Sequence, residues 1–267
     1  MSVVPLSYLA RRNPTVKAAL VFALSLVLVM VLDPITPLLF IAVTLVAGLV
    51  LGRIPLGAYL RALFPLLIVG LGFVSTNALF AVTAEGDVVH TLGPLRLSER
   101  GVIFGLAIAL RGLAIGALSV TFILTTDPTD LAVSLVRHAR LPFRIVYALL
   151  AGYRFLPYFT AEYAQVRLAQ RLRGGERSGL LRRLTEPARL VLPLLALAIR
   201  RATRIGVAMD SRGFSAASPA TRTTYRRVPL GWGDALLTLL ITSIAGLLVT
   251  LSATAGWLRF WDGRFAA

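Results

Sequence analysis

The chain reads as an all-α integral membrane protein with about five transmembrane helices and two to three amphipathic cytoplasmic helices. Three observations predict this class. Of its 267 residues 57% are hydrophobic and the mean hydropathy is +0.80, whereas roughly half of a soluble chain is apolar. Stretches free of charge run from Ala18 to Leu32, Pro34 to Gly52, Ala62 to Ala84 and Ala235 to Leu258, and the longer ones meet the roughly 20 residues needed to cross a bilayer. The segment from Asp127 to Arg227 holds 18 of the 28 basic residues and only six of the acids, yet apolar runs too short to span lie inside it.

Taken in order, the first apolar segment follows Arg11, Arg12 and Lys17 and is short, borrowing from its flanks. No small-x-small cleavage site precedes Asp33, so it is expected to be a span and not a signal peptide. A cytoplasmic N-terminus puts Asp33-Pro34 outside, Arg53 and Arg61 inside, and the segment from Glu85 to Arg100 outside, where three acids meet two arginines. Every loop then obeys the positive-inside rule. A fourth span runs from Gly101 to about Thr126, with Arg111 near its middle, and the last follows Asp234. The expected organisation is 1–126 for the N-terminal spans, 127–227 for a cytoplasmic and interfacial region, and 228–267 for the final span and tail.

The formal charge of +16 would mark a soluble chain as a nucleic-acid binder. In a membrane chain Lys and Arg accumulate in cytoplasmic loops, so no nucleic acid is expected and the lipid bilayer is the first partner. Cysteine is absent and there are two histidines, His90 and His138. This excludes disulfides and thiolate ligands and leaves too few groups for a histidine-built metal site.

Within the basic region a first helix is expected after Pro142, with Tyr147, Leu150 and Tyr153, limited by Pro157. A second covers about Tyr158 to Arg173, where Phe159, Tyr163, Val166 and Ala169 recur at spacings of four, three and three. A third opens at Thr185-Glu186-Pro187 and runs to Arg212, with Leu195, Ala198, Ala202, Ile205 and Met209 along one face and a kink expected at Pro193. Such helices, apolar on one side and rich in arginine on the other, lie at the membrane surface or beneath a bundle.

Two of these helices end alike, in Leu172-Arg173-Gly174 and Ser211-Arg212-Gly213, 39 residues apart. Each arginine sits near the carbonyl end of a helix dipole, and the glycine after it lets the backbone turn away so that the guanidinium projects. A guanidinium engages a carboxylate through two parallel hydrogen bonds and stays charged at any physiological pH. Two matching ends point to two similar sockets. The blander reading is that both arginines cap their helices and touch anionic lipid headgroups.

These residues carry a resemblance to a known family. Ala208-Met209-Asp210-Ser211-Arg212-Gly213-Phe214 is similar to the Ala-Met-Glu-Ala-Arg-Gly-Tyr segment of the transmembrane T subunits of energy-coupling factor (ECF) transporters. Ala169-Gln170-Arg171-Leu172-Arg173-Gly174 resembles the first Ala-Arg-Gly motif of those subunits. Asn13-Pro14 with Lys17, Thr125-Thr126-Asp127-Pro128 with Asp130-Leu131, and Tyr153-Arg154-Phe155-Leu156-Pro157 match further. Leu172 and Ser211 stand where the family has alanine; both arginines and both glycines are kept. The resemblance implies a non-catalytic coupling subunit that binds no cofactor itself. Two ABC-type ATPases would hydrolyse ATP and receive Arg173 and Arg212, and a separate membrane S subunit would bind a vitamin or a transition metal such as cobalt or nickel.

Other polar residues invite competing readings. Arg111 within a span is a functional candidate by default, though it could equally serve structure. Asp127 and Asp130 could hold magnesium in a membrane enzyme acting on a phosphorylated lipid, but Asp127-Pro128 better fits the cap of a short helix, Thr129 to His138. His138 is expected to be a solvated surface residue. Gly70, Gly72, Gly105, Gly112 and Gly116 are expected to permit close helix packing or contact with the substrate-binding subunit. A self-contained secondary transporter would show internal repeats with polar midplane sites, and the paired Arg-Gly helices are the only repeat found.

Overall fold

In the computed structural model residues 7–80, 89–92, 95–174, 180–214, 216 and 228–256 are described. Their elements are α1 (Pro14–Met30), α2 (Ile35–Val50), α3 (Leu56–Phe80), β1 (Val89–Leu92), β2 (Leu95–Ser98), α4 (Glu99–Thr125), α5 (Pro128–His138), α6 (Phe143–Gly174), α7 (Leu180–Ser211) and α8 (Trp232–Thr254). The all-α membrane class holds. One short antiparallel hairpin, pairing Val89 with Ser98 and Leu92 with Leu95, is inserted between α3 and α4 where a plain loop is expected.

The chain divides into a bundle unit, residues 1–140 and 228–267, and a second unit, residues 141–227. In the bundle unit α3, Gly101–Thr125 of α4 and α8 are long and apolar enough to cross a bilayer. α1 and α2, with 17 and 16 residues, reach about 25 Å at 1.5 Å per residue, a little less than the roughly 30 Å hydrocarbon core.

The core forms where α1, α2, α4 and α8 converge, through Leu24, Leu28, Phe40, Ala114, Leu118 and Ala245. Small residues let α4 approach its neighbours closely, which matters in lipid because helix association there depends on packing and not on escape from water. A methyl group on Gly105 would lie 2.8 Å from the Val74 Cα and 3.1 Å from the Phe73 carbonyl, and one on Gly70 would lie 3.3 Å from the Ala109 Cβ. Gly116 similarly faces Leu66, but Gly72 and Gly112 have open space beside them. Fully buried Tyr59 donates its hydroxyl to the Ala117 carbonyl at 2.8 Å, fixing α3 against α4 further along.

Arg111 turns its guanidinium to the Val31 carbonyl just beyond the C-terminus of α1, where helix carbonyls are left without partners and a cation is favoured. At the same end of the bundle, Asp33 Oδ2 accepts from Thr36 N at 2.7 Å and the Thr36 hydroxyl donates to Ser252 Oγ at 2.7 Å, joining α2 to α8. The arginine inside the span thus has a structural task.

In the second unit α6 and α7 form an antiparallel helical hairpin. The Arg201 guanidinium lies 4.5 Å from the Tyr158 ring and 5.2 Å from the Phe155 ring, a cation–π contact between the two helices. Phe214, just beyond α7, meets Phe143 at 5.4 Å and Tyr147 at 6.2 Å, both edge-on, near the start of α6. The expected break at Pro157 does not occur: α6 passes through it as one helix of 32 residues. Proline removes only the helix bond to the Tyr153 carbonyl, and the aromatic side chains on either side of it, Phe155 and Tyr158, are held against Arg201 of α7. α7 likewise opens at Leu180, ahead of the expected Thr185 start, because the intervening leucines and arginines are good helix formers.

Candidate functional site

The second Arg-Gly end is built by a defined helix stop. Gly213 has φ +77°; its N–H donates to the Asp210 carbonyl at 2.9 Å, and the Phe214 N–H donates to the Met209 carbonyl at 3.0 Å. This pair of bonds, six-to-one and five-to-two, is a Schellman motif with glycine in the left-handed position. Arg212 is the capping residue of that motif and is exposed, as are Ala208, Asp210 and Ser211, while Met209 and Phe214 are half-buried. Phe214 packs on α6, so the turn that presents Arg212 is held from both sides.

The left-handed backbone explains the glycine. A β-carbon in that region costs about 1–2 kcal/mol, whereas asparagine tolerates it better. Replacing Gly213 by valine is expected to loosen this stop, and with it any binding through Arg212, by at least fivefold. Gly213→Asn should retain most of the binding. Affinity of the two variants for the partner that engages Arg212 checks this.

The first end closes α6. The helix runs to Gly174, with Ala169 exposed and Leu172 80% exposed beside Arg173. Only the backbones of Arg173 and Gly174 are described, and Gly175 lies outside the described residues. Because α6 and α7 are antiparallel, the Arg212 end lies by the start of α6 and the Arg173 end lies at the far tip. About 30 residues of α6 separate them, roughly 45 Å at 1.5 Å per residue. A single binding site cannot use both arginines.

Large apolar side chains also remain exposed on this hairpin: Leu149, Tyr153 and Leu156 on α6, and Leu192, Leu195 and Ile199 on α7. An apolar surface of this extent marks contact with lipid or protein. Of the apolar face read on α7, Ala198, Ile205 and Met209 are half-buried while Leu195 and Ala202 are exposed, and Arg201 lies against the aromatic rings of α6.

Asp127 caps α5, its Oδ1 accepting from Thr129 N at 2.7 Å and Asp130 N at 3.4 Å. His138 is bound to the preceding turn of α5, its Nδ1 lying 3.2 Å from the Ser134 carbonyl. Among the described residues no group of three or more His, Cys, Asp or Glu is placed to hold a metal ion. One polar constellation is not evident from sequence spacing. Asn13, Ser134 and Asp234, far apart in the chain, meet in one buried hydrogen-bonded network, and Lys17, one turn after Asn13, is buried and donates to the Thr125 carbonyl at the end of α4. The motifs around Asn13-Pro14 and Thr125-Thr126-Asp127-Pro128 are its sequence trace, and Asp234 could be found only through the structure.

The profile of the CbiQ family, described as cobalt transport protein, matches residues 6–225. The energy-coupling factor transporter transmembrane protein EcfT of Bacillus selenitireducens is 31% identical over 86% of this chain and 88% of its own length. The protein of the same name from Lactococcus lactis is 28% identical over 92% and 94%, and that of Bacillus subtilis 26% identical over 76% and 78%. A family match over residues 6–225, with relatives matched over most of their own length, shows common descent: the chain belongs to the cobalt transport protein family and is a multi-pass transmembrane T subunit of the energy-coupling factor transporter type.

Proposed function

We propose that this chain is the non-catalytic coupling subunit of an ATP-driven importer, passing the movement of two cytoplasmic ABC-type ATPases to a separate substrate-binding membrane subunit. The observation that carries the reading is the pair of Arg-Gly helix ends at opposite ends of one hairpin, roughly 45 Å apart by helix length. Each of Arg173 and Arg212 anchors in one ATPase through a carboxylate in its surface groove. Leu172, standing where the family has alanine, adds an apolar contact at the first socket.

When the ATPases close on ATP, the two anchors are carried with them and the hairpin moves as a packed, rigid element. The exposed apolar side chains of α6 and α7 form the surface on which the substrate-binding subunit rides, so its orientation changes with theirs. ATP is bound and hydrolysed by the partners, and no cofactor is held by this chain. The cargo is a vitamin or a transition-metal ion, selected by the substrate-binding subunit. The excess of arginine in 127–227 supports a bacterial or archaeal cytoplasmic membrane with the N-terminus and the hairpin on the cytoplasmic side.

Affinity purification of the tagged chain from its native membrane, in mild detergent with mass spectrometry of what accompanies it, tests this. Two ABC ATPases and a small membrane protein are expected. Recovery of the chain alone, with turnover of a phosphorylated lipid by that preparation, would replace the coupling role with an enzymatic one.

A further inference from the structure

The second unit is joined to the bundle unit through two covalent crossings, 140/141 and 227/228. In the chain, each crossing is followed or preceded within seven residues by a member of one buried polar network, Ser134 before the first and Asp234 after the second. α5 ends at His138, just before the first crossing, and Gly231 and Asp234 open α8 just after the second. Any movement of the hairpin that reaches the membrane helices through the chain itself must pass these two points.

Asn13 ties them together. Its backbone N–H donates to Asp234 Oδ1 at 3.0 Å, and its side-chain Oδ1 accepts from Ser134 Oγ, on α5, at 2.7 Å. Asp234 Oδ2 accepts from Gly231 N at 3.0 Å, and the Thr15 hydroxyl lies 2.6 Å from Ser134 Oγ. Alongside, Lys17 Nζ donates to the Leu9 carbonyl at 3.0 Å and to the Thr125 carbonyl, at the end of α4, at 2.9 Å. Asn13, Ser134 and Asp234 are each at most 4% exposed and Lys17 is 6% exposed. Pulling α5 or the start of α8 away from Asn13 would strand buried polar groups, which is costly. The ends of α1, α4, α5 and α8 are therefore fastened into one block.

We infer that this network is the anchor that carries movement of the hairpin unit into the apolar bundle, with Asn13 the positioning residue that locks both crossings to α1. The inference rests on the coupling function proposed above. It accounts for the Asn13-Pro14, Lys17 and Thr125-Thr126-Asp127-Pro128 motifs, none of which takes part in the Arg-Gly ends.

The test uses the complete transporter complex with its other subunits made cysteine-free, because this chain contributes no cysteine of its own. Spin labels at Leu60→Cys and Leu236→Cys, both exposed on the bundle, report the α3–α8 distance without nucleotide and after trapping with ATP and vanadate. ATPase recovery and ATP hydrolysis are measured on the same preparations. The parent is expected to shift its distance distribution on trapping. Asn13→Ala, which removes the bond to Ser134 while its backbone N–H still reaches Asp234, and Ser134→Ala should keep the ATPases and most of the hydrolysis but lose at least half of the shift, and Asp234→Asn, which keeps one acceptor oxygen, should lose less.

An unchanged shift in Asn13→Ala and Ser134→Ala overturns the inference while leaving the coupling function standing, and so does a parent that binds ATPases but shows no shift. Loss of ATPase binding in the variants also overturns it, by giving the network a role in assembly. If Asn13→Ala is not recovered from the membrane, Ser134→Ala, which removes a single hydroxyl, decides the matter. A parent complex without ATPases removes both the inference and the function on which it rests.

Discussion

Reversing the charge at both Arg-Gly ends, Arg173→Glu with Arg212→Glu, is expected to strip the ATPases from the complex and abolish ATP-driven uptake. Arg212 is exposed on a helix stop held by two backbone hydrogen bonds and by Phe214, so substitution there alters the surface and not the core. If each guanidinium is desolvated against a carboxylate in its socket, removing it from one side costs about 3–5 kcal/mol, and a tenfold change in affinity corresponds to about 1.4 kcal/mol. Each single variant should therefore lose at least a hundredfold in affinity at its own socket, and the double variant should lose both. Co-purification and uptake measured side by side check this; normal coupled transport by the double variant would remove the arginines from the mechanism.

The second large effect concerns the bundle. Gly105→Leu should destabilise the protein by roughly 2–3 kcal/mol, because overpacking a close helix contact costs about 1–3 kcal/mol and the obstructing atom is backbone. A β-carbon would lie 2.8 Å from the Val74 Cα, so α3 and α4 must separate. At about 2–4 °C per kcal/mol, thermal unfolding in detergent should fall by about 5–10 °C. Gly112→Ala, on the same helix but with nothing within 4 Å of its added carbon, should unfold like the parent. Equal behaviour of the two variants would mean that the α3–α4 contact is looser than described.

Hydropathy locates α3, α4 and α8 because a bilayer demands about 20 predominantly apolar residues, and arginine placement sets the hairpin apart from the bundle because Lys and Arg concentrate outside the apolar spans. The continuity of α6 is not legible in this way. Proline signals a lost hydrogen bond, but the sequence does not tell that Phe155 and Tyr158, on either side of Pro157, pack on Arg201 of α7. Residues 127–140 are grouped by their charge with the basic region, yet they pack with the bundle, since Ser134 is drawn to Asn13 by a hydrogen bond across 121 positions. The helix stop at Gly213 is legible in the sequence because a glycine after a helix is a local feature. The network around Asn13 joins distant segments, which no local spacing reveals.

In the proposed coupling mechanism each Arg-Gly end touches an ATPase. A photo-crosslinking residue placed singly at Leu172, 80% exposed beside Arg173, and at Ser211, exposed beside Arg212, tests this most directly in native membranes. Illumination is expected to yield an adduct with an ABC ATPase from each position. Adducts with phospholipid alone, from both positions, would contradict the account and leave the two arginines as helix caps facing the membrane surface.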